Sequence, residues 1–153
     1  MTGLEFAQAI QQRRFPTPIA PWAEHMRVVT ENLVQTVETG RIVSHWTPGV
    51  QFTVSDGYVQ GGLICALADG GQFLAITSTL NAVEPWVTVD LHTRFVRPIK
   101  MGEQVEIESR VLSKTKTTAI VETTFTLADG KLAAKVTGGW RRSETRAPAA
   151  LES

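Results

Sequence analysis

One carboxylate stands inside the most apolar stretch of the sequence. From Tyr58 to Ile76 the chain reads YVQGGLICALADGGQFLAI, and Asp69 is its one charged side chain. A carboxylate in apolar surroundings needs hydrogen-bond donors or a water-lined pocket. So supplied, it can take a proton from water or attack an electrophilic carbon itself. Eight residues earlier lies the pair Gly61-Gly62. If a helix starts there, its first amides lack intrahelical partners and carry partial positive charge. Glycine lets a ligand approach that backbone closely. Buried acids are uncommon, and functional sites are one place where they occur.

Two local readings of Asp69 compete. The tetrapeptide Leu-Ala-Asp-Gly occurs twice, at Leu67 to Gly70 and at Leu127 to Gly130. The second copy separates two alternating runs, so Asp129-Gly130 reads as a hairpin turn. Taken alone, Asp69-Gly70 reads as a turn as well. Its surroundings favour a helix. The apolar run Leu63 to Leu80 is far longer than a strand of ~5–6 residues, and it shows no alternation. A glycine inside a helix costs about 1 kcal/mol relative to alanine. Gly70 and Gly71 therefore predict a neighbour packed close to the backbone. The run is apolar on nearly every side, which predicts a buried helix. Asp69, Gln72, Thr77 and Ser78 argue against a membrane span.

The elements that must hold this helix follow from periodicity. Leu4 to Arg13 reads as a short helix. Pro16, Pro18 and Pro21 then impose an extended connector, and Glu24 to Asn32 allows a further helical turn or two. Val34, Thr36 and Ile42 to Trp46 suggest two strands around Gly40, closed by Pro48-Gly49. Val50 to Val59 is a connection without clear period. After Pro85 the period becomes two. Val87, Val89, Leu91 and Phe95 alternate with Thr88, Asp90, His92 and Arg94, and similar sets surround Val105–Val111, Ala119–Leu127 and Leu132–Trp140. Alternation predicts antiparallel strands, each with one buried face. The fold class is α+β: one long central helix and an antiparallel sheet that can wrap it. The chain divides into an N-terminal helix and Pro-rich connector (1–24), one domain (25–142) and a flexible tail (143–153).

Composition narrows the function classes. Fifteen basic residues balance fifteen acidic ones, so the chain lacks the positive field of a nucleic-acid binder. A single cysteine, Cys65, excludes an internal disulfide, argues against a thiolate metal site, and is compatible with a reducing compartment. Cys65 itself reads as core packing. His25, His45 and His92 lack metal-ligand spacing. No Gly-x-Ser-x-Gly elbow is present. The first residues, MTGLEFAQAIQQRRF, read as neither a signal peptide nor a membrane span. A cytoplasmic protein without metal, cofactor, nucleic-acid or membrane partner is expected.

Several segments together resemble the hotdog-fold acyl-CoA thioesterases of the phenylacetate-pathway and 4-hydroxybenzoyl-CoA branch. They are Val59-Gln60-Gly61-Gly62-Leu63, Ala66-Leu67-Ala68-Asp69, Val87-Thr88-Val89-Asp90-Leu91, and Phe95-Val96-Arg97-Pro98 leading to Gly102-Glu103. The likeness spans about Asn32 to Arg141. It implies a hotdog fold and cofactor-free hydrolysis of acyl-CoA. It also implies Asp69 as the catalytic acid and Gly61 as the amide that polarises the thioester carbonyl. Gln60 stands where relatives carry His or Gln, and Thr88 where a Ser or Thr positions water or substrate. Relatives often have an Asn in the loop before the glycine pair; here Ser55 and Asp56 occupy that loop. Some have a second acid where this chain has Gly70. Gly62, Gln72, Phe73 and Arg97 are further candidates for substrate contact. Lys100, Lys114 and Lys116 could meet CoA phosphates or serve as solvated turn residues.

Helix geometry adds a constraint. At a rise of ~1.5 Å per residue, Asp69 sits roughly 12 Å along the helix from Gly61. An acyl carbon should lie within ~3 Å of both the attacking group and the oxyanion donors. One chain therefore cannot easily supply both, and a homodimer or homotetramer pairing Asp69 with a partner's Gly61 is expected. Whether Asp69 acts as base or nucleophile stays open. A non-catalytic acyl-CoA-binding module on the same scaffold is the alternative; a hydratase is disfavoured, because no Asp/His pair is placed for proton transfer to a double bond.

Overall fold

The computed structural model describes residues 1–144. Of the tail expected at 143–153, residues 145–153 lie outside the described residues. A short helix α1 (Gly3–Gln11) leads through the proline-rich segment to two helical turns, α2 (Pro21–His25) and α3 (Val28–Glu31). Strands β1 (Asn32–Glu38) and β2 (Arg41–Trp46) form a hairpin, and a 3-10 turn (Val50–Phe52) precedes the long helix α4 (Gly61–Thr77). Four strands complete the chain: β3 (Trp86–Phe95), β4 (Val105–Lys114), β5 (Thr118–Leu127) and β6 (Leu132–Arg142). Their order in the single six-stranded antiparallel sheet is β1-β2-β4-β5-β6-β3. The sheet wraps α4, which is the hotdog arrangement.

Asp69-Gly70 lies inside α4, so the helical reading holds and the turn reading does not. The helix is a poor former on its own, because Gly70 and Gly71 each cost about 1 kcal/mol relative to Ala. Packing outweighs this: Leu67, Leu74 and Ile76 are buried, and burial of such side chains is worth ~1.5–3 kcal/mol each. Two buried clusters flank the helix. One gathers Trp46, Phe52, Leu67, Ile107 and Phe125, and the other gathers Phe6, Leu74, Ile76, Trp86 and Trp140.

The two glycines of the pair differ in their surroundings. A Cβ on Gly71 would meet Ser109 Oγ of β4 at 2.6 Å, so the expected close neighbour is present there. A Cβ on Gly70 would meet nothing within 4 Å, so no close neighbour explains that glycine.

A polar network fixes the rotation of α4 against the sheet. Gln72 is fully buried. Its amide donates to Thr123 Oγ1 and to the Val136 carbonyl, each at 3.2 Å, and its oxygen accepts from Trp140 Nε1 at 2.8 Å. Thr123 is bonded in turn to Ser109, Oγ1 to Oγ, at 2.8 Å. A Cβ at position 138 would meet Gln72 Oε1 at 1.9 Å, so this network requires Gly138 on β6. Gln72 therefore faces the sheet and is spent on structure; its expected place at a substrate pocket is corrected.

Strand β3 also departs from the expected pattern. Val87, Val89 and Phe95 are 40%, 61% and 55% exposed, instead of forming a buried face. The strand is a sheet edge, and its register shifts between Thr88 and Asp90. That shift breaks the strict period of two.

Replacing Gln72 with Leu removes the acceptor for Trp140 Nε1 in a dry interior. The expected cost is about 1–3 kcal/mol, read as a lower denaturant midpoint with unchanged slope; an unaltered midpoint would contradict the assigned role.

Candidate active site

The acid and a hydroxyl meet across α4 and β3. Asp69 is half-buried, and its Oδ1 accepts a hydrogen bond from Thr88 Oγ1. At 100° per residue, a residue three positions before Gln72 lies 60° round the helix. With Gln72 locked toward the sheet centre, Asp69 is turned toward the β3 edge. Cys65, one turn earlier, follows the same line: its Sγ lies 3.2 Å from Thr93 Oγ1 on β3.

The bulge in β3 is what delivers Thr88. Strict alternation places Thr88 on the opposite face from Leu91. In the structure Thr88 pairs with Trp140, Leu91 with Gly138, Thr93 with Val136 and Phe95 with Ala134. Those β6 partners are all buried, so Thr88, Leu91, Thr93 and Phe95 share the helix side. One extra residue at Val89 re-aims the hydroxyl, a use of bulges seen beside active sites. Asp90 holds the bulge: its Oδ1 accepts from the Gly139 amide at 2.9 Å. Sequence reasoning missed Asp90 in this role, because the shift in period is hidden within an otherwise regular alternation.

The N-terminus of α4 forms the second group. Gln60 is the N-cap residue and is exposed, and its side chain makes no capping bond. Among the described residues no acceptor engages the amides of Gly61 or Gly62. Gly62 is exposed, with nothing within 4 Å of a would-be Cβ. At Gly61 a Cβ would lie 3.0 Å from Phe95 Cζ, so the Phe95 ring covers that glycine. Phe95 is a second contributor that sequence reasoning passed over; its place in the Phe-x-Arg-Pro segment was the available signal.

The loop before the helix is held as a tight turn. Asp56 Oδ1 accepts from the Tyr58 amide at 3.2 Å, and Gly57 adopts φ +84°. Ser55 and Asp56 are exposed on this loop. Val59 donates to the Ile99 carbonyl at 2.8 Å and Tyr58 bridges to Lys100, which ties the loop to the segment after Arg97. Arg97 is exposed and its Nη1 donates to the Leu132 carbonyl at 2.8 Å.

The predicted residues thus fall into two groups on one chain. Asp69 and Thr88 lie near the start of β3. Gly61, Gly62, Gln60, the Ser55–Asp56 loop and Arg97 lie by its end, where Phe95 covers Gly61. Phe73, one turn beyond Asp69, lines a cleft between α4, β1, β2 and the N-terminal segment. Among the described residues, no three His, Cys, Asp or Glu gather as a metal site, and no helix is long and apolar enough to cross a membrane.

Known proteins carry related sequences and folds. A family model described as "Thioesterase superfamily" matches residues 56–134. A provisionally named esterase of Saccharolobus solfataricus is 35% identical over 113 residues, 74% of this chain and 79% of its own length. Human acyl-coenzyme A thioesterase 13 is 29% identical over 110 residues, 71% of this chain and 78% of its own. The solved Escherichia coli PaaI protein, from the phenylacetic acid degradation operon, superposes with a TM-score of 0.75 at 18% identity. That match covers 92% of this chain and 93% of PaaI, and shows a common fold.

Asp90→Ala is expected to free the Gly139 amide and speed its hydrogen exchange by about ten- to a hundredfold, the scale of one bond to a charged acceptor. Asp90→Asn keeps an acceptor oxygen and should leave exchange near wild type. Equal exchange in all three proteins would remove Asp90 from the bulge.

Proposed function

This chain belongs to the thioesterase superfamily, and we propose that as a thioester hydrolase it acts on acyl-CoA, with Asp69 as the reacting acid. The observation that carries the reading is the contact between Asp69 and Thr88. A hydroxyl donor on Oδ1 satisfies one lone pair of a half-buried carboxylate and leaves Oδ2 for a water molecule. In the base role, Asp69 takes a proton from that water as its oxygen bonds to the acyl carbon. The carbonyl π electrons move onto oxygen, and the α4 amides of Gly61 and Gly62 stabilise the oxyanion. Collapse of this intermediate breaks the carbon–sulfur bond. The CoA thiolate leaves and recovers the proton from Asp69. In the nucleophile role, the carboxylate oxygen attacks the acyl carbon and the carbon–sulfur bond breaks, expelling the CoA thiolate; water then cleaves the mixed anhydride, which releases the acid, frees the Asp69 carboxylate and leaves a proton for the thiolate.

Oxyanion donors for Asp69 are assigned to a second copy of the chain. Within one chain the acid and the amides are roughly 12 Å apart along the helix. Thr88, beside Asp69, and Phe95, over Gly61, lie near opposite ends of β3, and β3 is an open edge. Antiparallel pairing of two such edges would set the Thr88 end of each against the Phe95 end of the other. Asp69 would then face the partner's glycine pair. Pairing would also cover the exposed β3 edge, which otherwise is a liability. Gln60, Ser55, Asp56 and Arg97 flank the amides and are assigned to the approach of the CoA ester.

Two measurements test this. Asp69→Asn should lower kcat/KM for acyl-CoA hydrolysis by about 10²–10⁴-fold, the range of a general base, while leaving the melting temperature close to wild type. Equal rates for the two proteins would exclude Asp69 from the reaction. Loss of thiol release by wild type, with retained CoA-ester binding, would favour the binding-module alternative. A strictly monomeric form that keeps full activity would defeat the shared site.

A further inference from the structure

Strand β6 is paired on both sides, with β5 and with β3, yet it carries adjacent glycines at 138 and 139. Glycine weakens a strand interior and often marks a place where another group approaches the backbone closely. Each of these two meets a side chain from a different neighbour. A Cβ on Gly138 would lie 1.9 Å from Gln72 Oε1, which comes from α4. A Cβ on Gly139 would lie 2.7 Å from Asp90 Oδ1 and 3.3 Å from its Cγ, which come from β3. The carboxylate that accepts from the Gly139 amide therefore sits in the space that any side chain at 139 would take.

We propose that Asp90 is a positioning residue of the hydrolysis: seated on Gly139, it sets the Thr88 hydroxyl on Asp69. The effect on rate rests on the acyl-CoA reading above; the geometry does not. Thr88 and Asp90 flank the register shift of β3. A bulge disrupts the ladder locally, and at this rung the Asp90 carboxylate bonds the Gly139 amide at 2.9 Å. That side-chain bond ties the bulged backbone to β6. Threonine is β-branched, so its χ1 has few choices and the direction of its hydroxyl follows the backbone. Asp90 thus acts through Thr88 and not on the substrate.

Strand β6 then carries both references of the acid's contact. Gly138 admits Gln72, which sets the direction of Asp69, and Gly139 admits Asp90, which sets the direction of Thr88. Adjacent residues of one strand so fix the two partners of one hydrogen bond, Thr88 Oγ1 to Asp69 Oδ1. Gly139 is the decisive residue. The atoms a methyl group there would displace are the end of a side chain, which can swing away while the fold stays. Only the clamp is lost.

Kinetics and threonine-methyl NMR test this. Asp90→Ala should lower kcat by about ten- to a hundredfold, the scale of one hydrogen bond to a charged group, with KM within about twofold of wild type. Asp90→Asn keeps an acceptor for the Gly139 amide and should restore most of the rate. Gly139→Ala should reproduce the loss with an unchanged melting temperature, and should cost nothing more when added to Asp90→Ala. Asp90→Ala should likewise have no further effect in Thr88→Ala, since both remove one contact. NMR reads the geometry without substrate. The Thr88 methyl signal should respond to Asp69→Ala in an otherwise wild-type chain and not in Asp90→Ala. Thr93, which meets Cys65 beyond the bulge, should keep its signal in Asp90→Ala. Additive losses in the Thr88/Asp90 double variant, full rate in Gly139→Ala, or equal displacement of the Thr88 and Thr93 signals would overturn the assignment. The two readings separate: a wild type that releases no thiol from acyl-CoA, but whose Thr88 signal loses its response in Asp90→Ala, fails as an enzyme and keeps the clamp.

Discussion

The orientation of one helix decides what this molecule can do, and a buried glutamine sets it. Gln72 reaches three separate sheet partners from the middle of α4: Thr123, Val136 and Trp140. Hydrophobic packing alone tolerates small rotations of a helix that is apolar nearly all round. A set of hydrogen bonds in a dry interior does not, because each broken bond leaves a desolvated polar group. Gly138 and Gly71 provide the close approach that lets those bonds form. With Gln72 fixed, Asp69 is aimed at β3 and Gly70 at the cleft.

Strand β3 answers that orientation from its side. A regular strand would present Thr88 away from the helix. The bulge at Val89, clamped by Asp90 on the Gly139 amide, turns the hydroxyl toward Asp69 while Leu91, Thr93 and Phe95 keep the helix face. Strand β3, last in the sheet, has an open edge and several exposed apolar side chains. The same strand thus carries Thr88, against Asp69, near one end, Phe95 over Gly61 at the other, and an unpaired edge along its length. In the proposed function these are a single fact, since two half-sites on one edge become whole sites when two edges meet.

Around α4 the helix surface is partitioned by neighbour. The sheet takes the side of Gln72 and Gly71, β3 takes the side of Cys65 and Asp69, and the N-terminal segment roofs the side of Ala66, Gly70 and Phe73. The adjacent glycines differ in one respect: a Cβ on Gly71 would strike Ser109 of the sheet, and one on Gly70 would meet no protein atom within 4 Å. Sequence alone treats the two as one signal.

Much of the architecture follows from patterns that are local in the chain. Apolar length marks α4, period two marks β4 to β6, and Asp129-Gly130 marks their turn, because each of these depends on near neighbours in sequence. The thioesterase family was legible for the same reason: the segments that resemble it, Val59 to Leu63, Ala66 to Asp69, and Phe95 to Pro98, are each short and contiguous. The rest depends on distant partners. Gln72 reads as a pocket residue until its bonds to β5 and β6 are seen, more than fifty residues away. The buried face expected on β3 dissolved because edge position and a bulge are properties of the assembled sheet. The cleft beside Gly70 is also lined by Phe15 and Trp22, some fifty positions away in the chain, and no periodicity records such a meeting. Sequence determined which elements exist and which groups could react; tertiary structure decided the direction each group faces, because rotation and register are set by contacts between elements.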